Sequence, residues 1–255
     1  MPTALVTGGT SGIGAAFARR LAARGDDLVL VARDAARLES TAAELRTAYG
    51  VEVEVLPADL SARDDVTRVA ERLTDQARPV DLLVNNAGFG VHHRLTDPDP
   101  APHERAIAVM VEAVLVLGGA AGRAMRERGH GAIVNVASTA GYLAMGSYSA
   151  IKAWAMTYSE SLANELAGTG VTVTALAPGW VRTEFHERAA IRTSSIPDQL
   201  WLEADALVAE CLEDVAAGKV VSIPSRRYRA LMFAVRHAPR SAVRAASRRL
   251  SSSRR

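Results

Sequence analysis

The 255-residue sequence predicts an α/β fold: a doubly wound parallel sheet with crossover helices on both faces. Two observations carry that expectation. Short β-branched runs alternate with longer Ala- and Arg-rich segments of helical period, and a glycine-rich loop joins the first run directly to the first helix.

Taken in order, residues 3–6, 28–31, 51–56, 82–84, 133–136 and 171–176 read as strands. They are continuously apolar rather than alternating, as parallel strands covered on both faces must be. Residues 15–24, 35–49 and 64–77 read as helices, with Ser61 as the expected N-cap of the third. The most apolar stretch, residues 106–121, carries Glu112 and is short for a membrane span, so a buried core helix is expected there. Residues 218–224 read as the last strand. No internal repeat or linker precedes residue 226, which predicts a single domain over 1–225.

Composition narrows the function classes. A hydrophobic content of 49% is enough for a packed core and excludes a disordered chain. The single cysteine, Cys211, excludes an internal disulfide and a cysteine-rich zinc site. Met1-Pro2 runs straight into the first strand with no signal peptide visible, so a cytoplasmic protein is expected. The net charge of +2 hides an asymmetry: residues 226–255 hold ten Arg and no Asp or Glu. That leaves twenty basic against twenty-eight acidic side chains before residue 226, a net charge of −8. An acidic body of this kind opposes phosphate, and no nucleic-acid recognition module accompanies the tail, so no nucleic-acid partner is expected.

The chemistry-bearing residues are spread along this frame. Thr7-Gly8-Gly9-Thr10-Ser11-Gly12-Ile13-Gly14 sits between the first strand and the first helix. Glycines there permit a tight turn and close backbone approach, and the helix N-terminus offers N–H groups to phosphate oxygens. At the end of the second strand, Ala32-Arg33-Asp34 puts a guanidinium where a carboxylate would meet a ribose 2′-hydroxyl. This favours NADP(H) over NAD(H), with Asp34 serving the hydroxyl if the turn is displaced. Tyr148 and Lys152 are four apart on one helical face. A neighbouring ammonium favours phenolate, so Tyr148 is expected to work as an acid/base group nearer neutrality than free tyrosine.

Together, Thr7-Gly8-x-x-x-Gly12-Ile13-Gly14, Asp59-Leu60, Asn85-Asn86-Ala87-Gly88, Ser138, Tyr148-x-x-x-Lys152 and Pro178-Gly179 follow the order and approximate spacing of one family. The chain resembles the classical short-chain dehydrogenase/reductase family over roughly residues 3–225. The resemblance implies a Rossmann-type sheet, a nicotinamide cofactor and hydride transfer between an alcohol and a carbonyl. It implies that Gly8, Thr10, Ser11, Gly12, Ile13 and Gly14 hold the cofactor phosphates, with Arg33 beside the ribose. Asp59 would bond the adenine with Leu60 beside it, and Asn86, Ala87 and Gly88 would line the adenosine half. Ser138 would hold the substrate oxygen. Lys152 would bind the nicotinamide ribose and lower the pKa of Tyr148, while Val181 and Thr183 would grip the carboxamide. A homo-oligomer and a small carbonyl or alcohol substrate are implied as well.

One position departs from the family. Its helix after the fourth strand usually carries an Asn that holds a relay water, and Met110 stands there. A thioether is a weak acceptor and no donor, so water or a neighbour such as Glu112 is expected to relay the proton. The departure also leaves open an alternative: a cofactor-binding sensor or scaffold of the same fold with weak catalysis.

The expected substrate walls are residues 89–93, 139–145 and 185–201, the last as a mobile lid. Phe89, Tyr142, Leu143, Met145, Phe185, Ile191 and Trp201 there suggest a lipophilic substrate; His92 and His93 read as surface or rim residues. In the basic extension, Tyr228, Leu231, Met232, Phe233 and Val235 are expected on one apolar helical face. Pro239 would end that helix, and a second would start near Ser241 and fray at the terminus. The extension could pack on its own acidic body or a partner subunit, or touch an anionic membrane.

Overall fold

The structure, a computed structural model, describes residues 1–91, 93–183 and 197–252. In chain order its first half runs β1 (Thr3–Thr7), α1 (Gly12–Ala23), β2 (Asp27–Ala32), α2 (Ala35–Tyr49), β3 (Val53–Pro57), α3 (Arg63–Thr74) and β4 (Leu82–Asn85). Then come α4 (Ala101–Ile107), a π-helical turn (Ala108–Glu112), α5 (Ala113–Arg128), β5 (Gly131–Val136), a 3₁₀ turn (Thr139–Tyr142), α6 (Ser147–Glu165) and β6 (Val171–Leu176). The chain continues with β7 (Trp180–Arg182), β8 (Trp201–Glu203), α7 (Ala204–Ala216), β9 (Val221–Ser222), α8 (Arg226–His237) and α9 (Arg240–Ser252).

Seven parallel strands form one sheet in the order β3-β2-β1-β4-β5-β6-β9, and β7 pairs with β8 beside it. This is the expected doubly wound, Rossmann-type sheet. The order reverses between β1 and β4, so a crevice opens at their carboxyl ends, where ligands of such sheets bind. Two apolar layers cover the sheet. On one face Leu5, Val29, Leu83 and Ile133 pack against Val69, Leu73, Leu117 and Met125. On the other, Val6, Leu30, Val84 and Leu176 pack against Phe17, Leu21, Leu38 and Val208. Each β-strand of the centre feeds both layers because successive side chains point to opposite faces.

The apolar stretch is a continuous helix over Ala101–Arg128, long and apolar enough by composition to cross a membrane. Ala106, Met110, Ala113, Leu117, Ala120, Ala121 and Met125 are all within the core, so half of its apolar window is already covered by the protein. Ser61 does not cap α3. That place is taken by Ala62, and the Ser61 hydroxyl donates to Asp59 at 2.7 Å.

The extension folds as α8 and α9. Tyr228, Met232, Val243 and Ser247 are buried, whereas Leu231 and Phe233 point outward. The expected single apolar face therefore splits: residues 228 and 232, four apart, take the inner face, Leu231 lies at its edge and is 46% exposed, and Phe233 is turned away from it.

Candidate active site

Four loops meet at the carboxyl end of the sheet. After β1, Gly8 and Gly12 take positive φ of 66° and 54°, a conformation open to glycine at little cost. A Cβ on Gly14 would lie 2.1 Å from the Gly8 carbonyl, so the helix start can close over the turn only without a side chain. No side chain caps α1, leaving its first-turn N–H groups directed at the crevice. Arg37 braces the loop from α2, its Nε donating to the Thr10 carbonyl at 3.1 Å.

The loop after β4 locks onto the same turn. Asn86 Nδ2 donates to the Thr7 and Gly8 carbonyls at 2.9 and 3.3 Å, and the N–H groups of Asn86 and Ala87 donate to Thr7 Oγ1. The Asn86 side chain is thus a brace of the glycine loop. Leu60 lies in the core, and Val181 is buried there too. Thr183 sits against Gly12, its Cβ 3.3 Å from where a Gly12 Cβ would be, which brings the residue after β7 to the glycine loop.

At the end of β2, Arg33 is exposed. Asp34 is committed elsewhere: it caps α2, accepting the Arg37 N–H at 3.0 Å. Asp59 is partly desolvated, which disfavours its charge. The Ser61 N–H and hydroxyl, with Arg105 and Arg33 nearby, outweigh that and hold its carboxyl below the usual range.

Ser138, Tyr148 and Lys152 come together beyond β5. Ser138 caps the 3₁₀ turn, accepting the Ala140 N–H at 3.1 Å, and is hydrogen-bonded to Tyr148. Lys152 is 6% exposed; its Nζ donates to the Val136 carbonyl at 2.7 Å and lies 5.7 Å from the centre of the Tyr148 ring. The expected depression of Tyr148 is not what this arrangement produces. Burial pushes its phenol up to about 12, the Ser138 bond opposing only in part. The same burial pulls Lys152 down to about 8. The cation lies by the ring, bonded to a backbone carbonyl, so it does not offset the desolvation of the hydroxyl. Near neutrality Tyr148 is therefore protonated.

Met110 is 2% exposed, its sulfur packed against Gly88 in the π-helical turn. Glu112 makes no hydrogen bond or ion pair with Lys152, whose Nζ donates to the Val136 carbonyl. Glu112 is exposed and shares a small cleft with Ser61, Ala62, Arg63 and Val66 at the start of α3.

A family model for short chain dehydrogenases matches residues 2–192. The chain belongs to the short-chain dehydrogenase/reductase family. It is accordingly an oxidoreductase of a family that binds NAD(P). A galactitol 2-dehydrogenase (L-tagatose-forming) from Cereibacter sphaeroides is 35% identical over 232 residues, covering 88% of this chain and 89% of the relative. A short-chain dehydrogenase from Sphingobium yanoikuyae, solved in complex with NADPH, superposes with a TM-score of 0.84 at 38% identity, covering 92% of this chain and 94% of that one. The bulky-bulky ketone specific alcohol dehydrogenase from Comamonas testosteroni gives a TM-score of 0.79 at 32% identity, covering 92% of each chain. The cradle of Gly8, Gly12 and Gly14, with no side-chain cap bonded at the start of α1, fits a dinucleotide pyrophosphate.

Of the expected substrate walls, Phe89 packs partly on the core and Tyr142 on Ala137, Ala155 and Met156. Leu143 and Met145 are partly exposed beside Tyr142. Trp201 lies tilted against Trp180, ring centres 6.0 Å apart. Phe185, Ile191, His92 and most of the expected lid fall outside the described residues. His93 is exposed, 3.8 Å from Asp97.

Two groups escaped the sequence reading. A buried chain runs from Asn85 Nδ2 to Asn135 Oδ1 (2.9 Å), from Asn135 Nδ2 to Ser159 Oγ (2.9 Å) and on to the Ala155 carbonyl. It ties β4 and β5 to α6 and so sets the height of Tyr148 and Lys152. The signal was present as an Asn in each of two otherwise apolar strands, opposite one another in register. The second is His103, with Nδ1 2.8 Å from Ser147 Oγ and Nε2 3.1 Å from the Arg94 carbonyl. No spacing in the sequence links it to residue 147.

Proposed function

We propose that the chain is an NADP(H)-dependent oxidoreductase interconverting a lipophilic ketone and its alcohol, working as a homo-oligomer in the cytoplasm. The observation that carries this reading is the Ser138–Tyr148–Lys152 cluster beside the glycine cradle. When bound, the nicotinamide cofactor supplies or accepts the hydride. Gly8, Thr10, Ser11, Gly12, Ile13 and Gly14 would hold its phosphates, and Asp59, Leu60, Ala87 and Gly88 would flank its adenosine. Lys152, Val181 and Thr183 would hold its nicotinamide half, Val181 through backbone groups because its side chain is buried.

In reduction, Ser138 Oγ and Tyr148 Oη hold the substrate oxygen, and Tyr148 gives it a proton as negative charge develops. Lys152 contributes positive charge that counts most once the phenolate has formed, which is stabilisation of the transition state rather than of the resting tyrosine. Water inside the crevice, rather than Glu112, returns the proton. Phe89, Leu143 and Met145, partly exposed in the loops after β4 and before Tyr148, support an apolar substrate.

Preference for NADP(H) rests on Arg33, exposed at the end of β2, with Asp34 engaged as a helix cap. A guanidinium–phosphate pair of this kind supports a discrimination of roughly 10- to 100-fold. The test is cofactor oxidation against a panel of bulky ketones, with NADPH and NADH, for the native chain and Arg33→Asp. Turnover with NADPH that shifts towards NADH in the variant supports the reading. Tight cofactor binding without turnover on any ketone would favour a sensor or scaffold, the alternative that buried Met110 brings into view.

A further inference from the structure

The outer surface of the C-terminal helices has no part in hydride transfer. α8 and α9 turn Tyr228, Met232, Val243 and Ser247 onto the body. Outward on α9 stand Arg240, Arg244 and Arg248, all exposed and none ion-paired among the described residues. Spacing of four stacks them in one row about 12 Å long. On α8, joined to α9 by Ala238-Pro239, Phe233 is 66% and Leu231 46% exposed, with Arg226, Arg227 and Arg236 on the same helix. A solvated helix has no use for an exposed Phe and Leu among arginines, whereas a lipid interface accommodates both.

We propose that α8 and α9 form a docking surface for an anionic lipid bilayer, with Arg240, Arg244 and Arg248 on the headgroups and Phe233 and Leu231 in the acyl boundary. Charge selects this occupant. Residues 226–255 carry ten Arg and no acid, while the rest of the chain is net −8. Attraction to a polyanion is therefore confined to this one end, and a flat surface can meet it without approaching the acidic body. Nucleic acid offers no apolar slot for Phe233 and would run past its own footprint onto repelling charge.

The surface adjoins the active site. Ser247 Oγ, on the inner side of α9, accepts the Ala144 N–H at 3.0 Å, in the segment between Ser138 and Tyr148. A docked bilayer would thus lie one helix thickness from the substrate loop, where a lipophilic ketone dissolved in the membrane could reach it. Docking itself does not rest on the proposed activity, and its test needs no turnover.

The experiment is co-sedimentation of the full chain with vesicles of phosphatidylcholine alone or mixed with phosphatidylglycerol, at low salt and at about 0.5 M salt, where screening is short-ranged. Its partner is the variant Arg240→Glu/Arg244→Glu/Arg248→Glu, whose fold is checked by circular dichroism. The native chain is expected to pellet with the anionic vesicles only and to be released by salt. The variant is expected to lose partitioning on the order of a hundredfold or more. Phe233→Ser should weaken pelleting at low salt without altering its salt dependence. No pelleting with anionic vesicles, or equal pelleting of native chain and variant, would overturn the proposal. So would a triple variant that dissociates an oligomer while neither form binds vesicles, which would assign the face to a second copy. Binding of a DNA duplex as tight as vesicle binding would also overturn it.

Discussion

Burial separates the two polar residues of α6 in opposite directions, and their pH behaviour follows. Tyr148, pushed up to about 12, keeps its proton throughout the working range, whereas Lys152, pulled down to about 8, titrates within it. Lys152 is charged below that value and neutral above it, so its support for the forming phenolate is present at low pH and fades as pH rises. The rate of ketone reduction at saturating substrate should be level from about pH 6 to 7 and fall above about pH 8. A rate that stays level to pH 10 would remove the Lys152 charge from the mechanism. The pair itself was legible, because spacing of four on a helix is a local property. Its electrostatics were not: the sign of the Tyr148 shift depends on which elements close over it, and Lys152 turned out to bond Val136 and face the ring. Asp34 teaches the same lesson, since only the fold shows its carboxylate spent on the α2 cap.

At the scale of elements, α6 is held to the sheet by polar bonds within an apolar layer. Asn85, Asn135 and Ser159 are all buried, and each pairs with the next. Asn135→Leu would leave Asn85 Nδ2 without its acceptor, at a cost of about 1–3 kcal/mol, while the Ser159 hydroxyl keeps its bond to the Ala155 carbonyl. For a chain of this size the melting temperature should fall by roughly 4–10 °C. Because the same bonds set the height of α6, turnover should fall further than cofactor affinity. The double variant Asn85→Leu/Asn135→Leu should cost less than the sum of the two single changes, since it leaves fewer orphaned groups. Strict additivity measured by thermal unfolding would show that the chain of bonds is not a unit. Strands β1 to β6 were readable from their apolar runs to within a residue or two, whereas β9 is only Val221–Ser222 inside the expected 218–224. The π-helical turn at Ala108–Glu112 and the β7–β8 ladder were not, because neither has a periodicity of its own. Both depend on what the neighbouring chain offers: Met110 settles over Gly88, and Trp180 pairs with Trp201.

Over the whole molecule, the C-terminal helices complete the fold rather than trail from it. The Tyr228 ring occupies the space above Gly179, where a Cβ would come within 1.9 Å of it. Its hydroxyl accepts the Trp180 N–H at 3.0 Å and donates to the Leu200 carbonyl at 2.7 Å, pinning the strand pair that follows the Pro178-Gly179 turn. Removing residues 226–255 would strip both bonds and uncover the active-site loop at Ala144, so the shortened chain should melt lower and bind substrate more weakly. Equal melting temperatures would mean that the extension is an appendage. The order of motifs made the sheet and the cofactor cradle foreseeable, since they are strung along the sequence at strand ends; docking of Tyr228 onto Trp180 joins residues 48 positions apart and leaves no local mark. The central claim, that Tyr148 is the proton donor of a ketone reductase, is tested most directly by Tyr148→Phe, measured in NADPH oxidation and in NADPH binding side by side. Turnover should fall by ~10²–10⁴-fold while the cofactor dissociation constant stays within a few-fold of the native value. Turnover near the native rate would contradict the account.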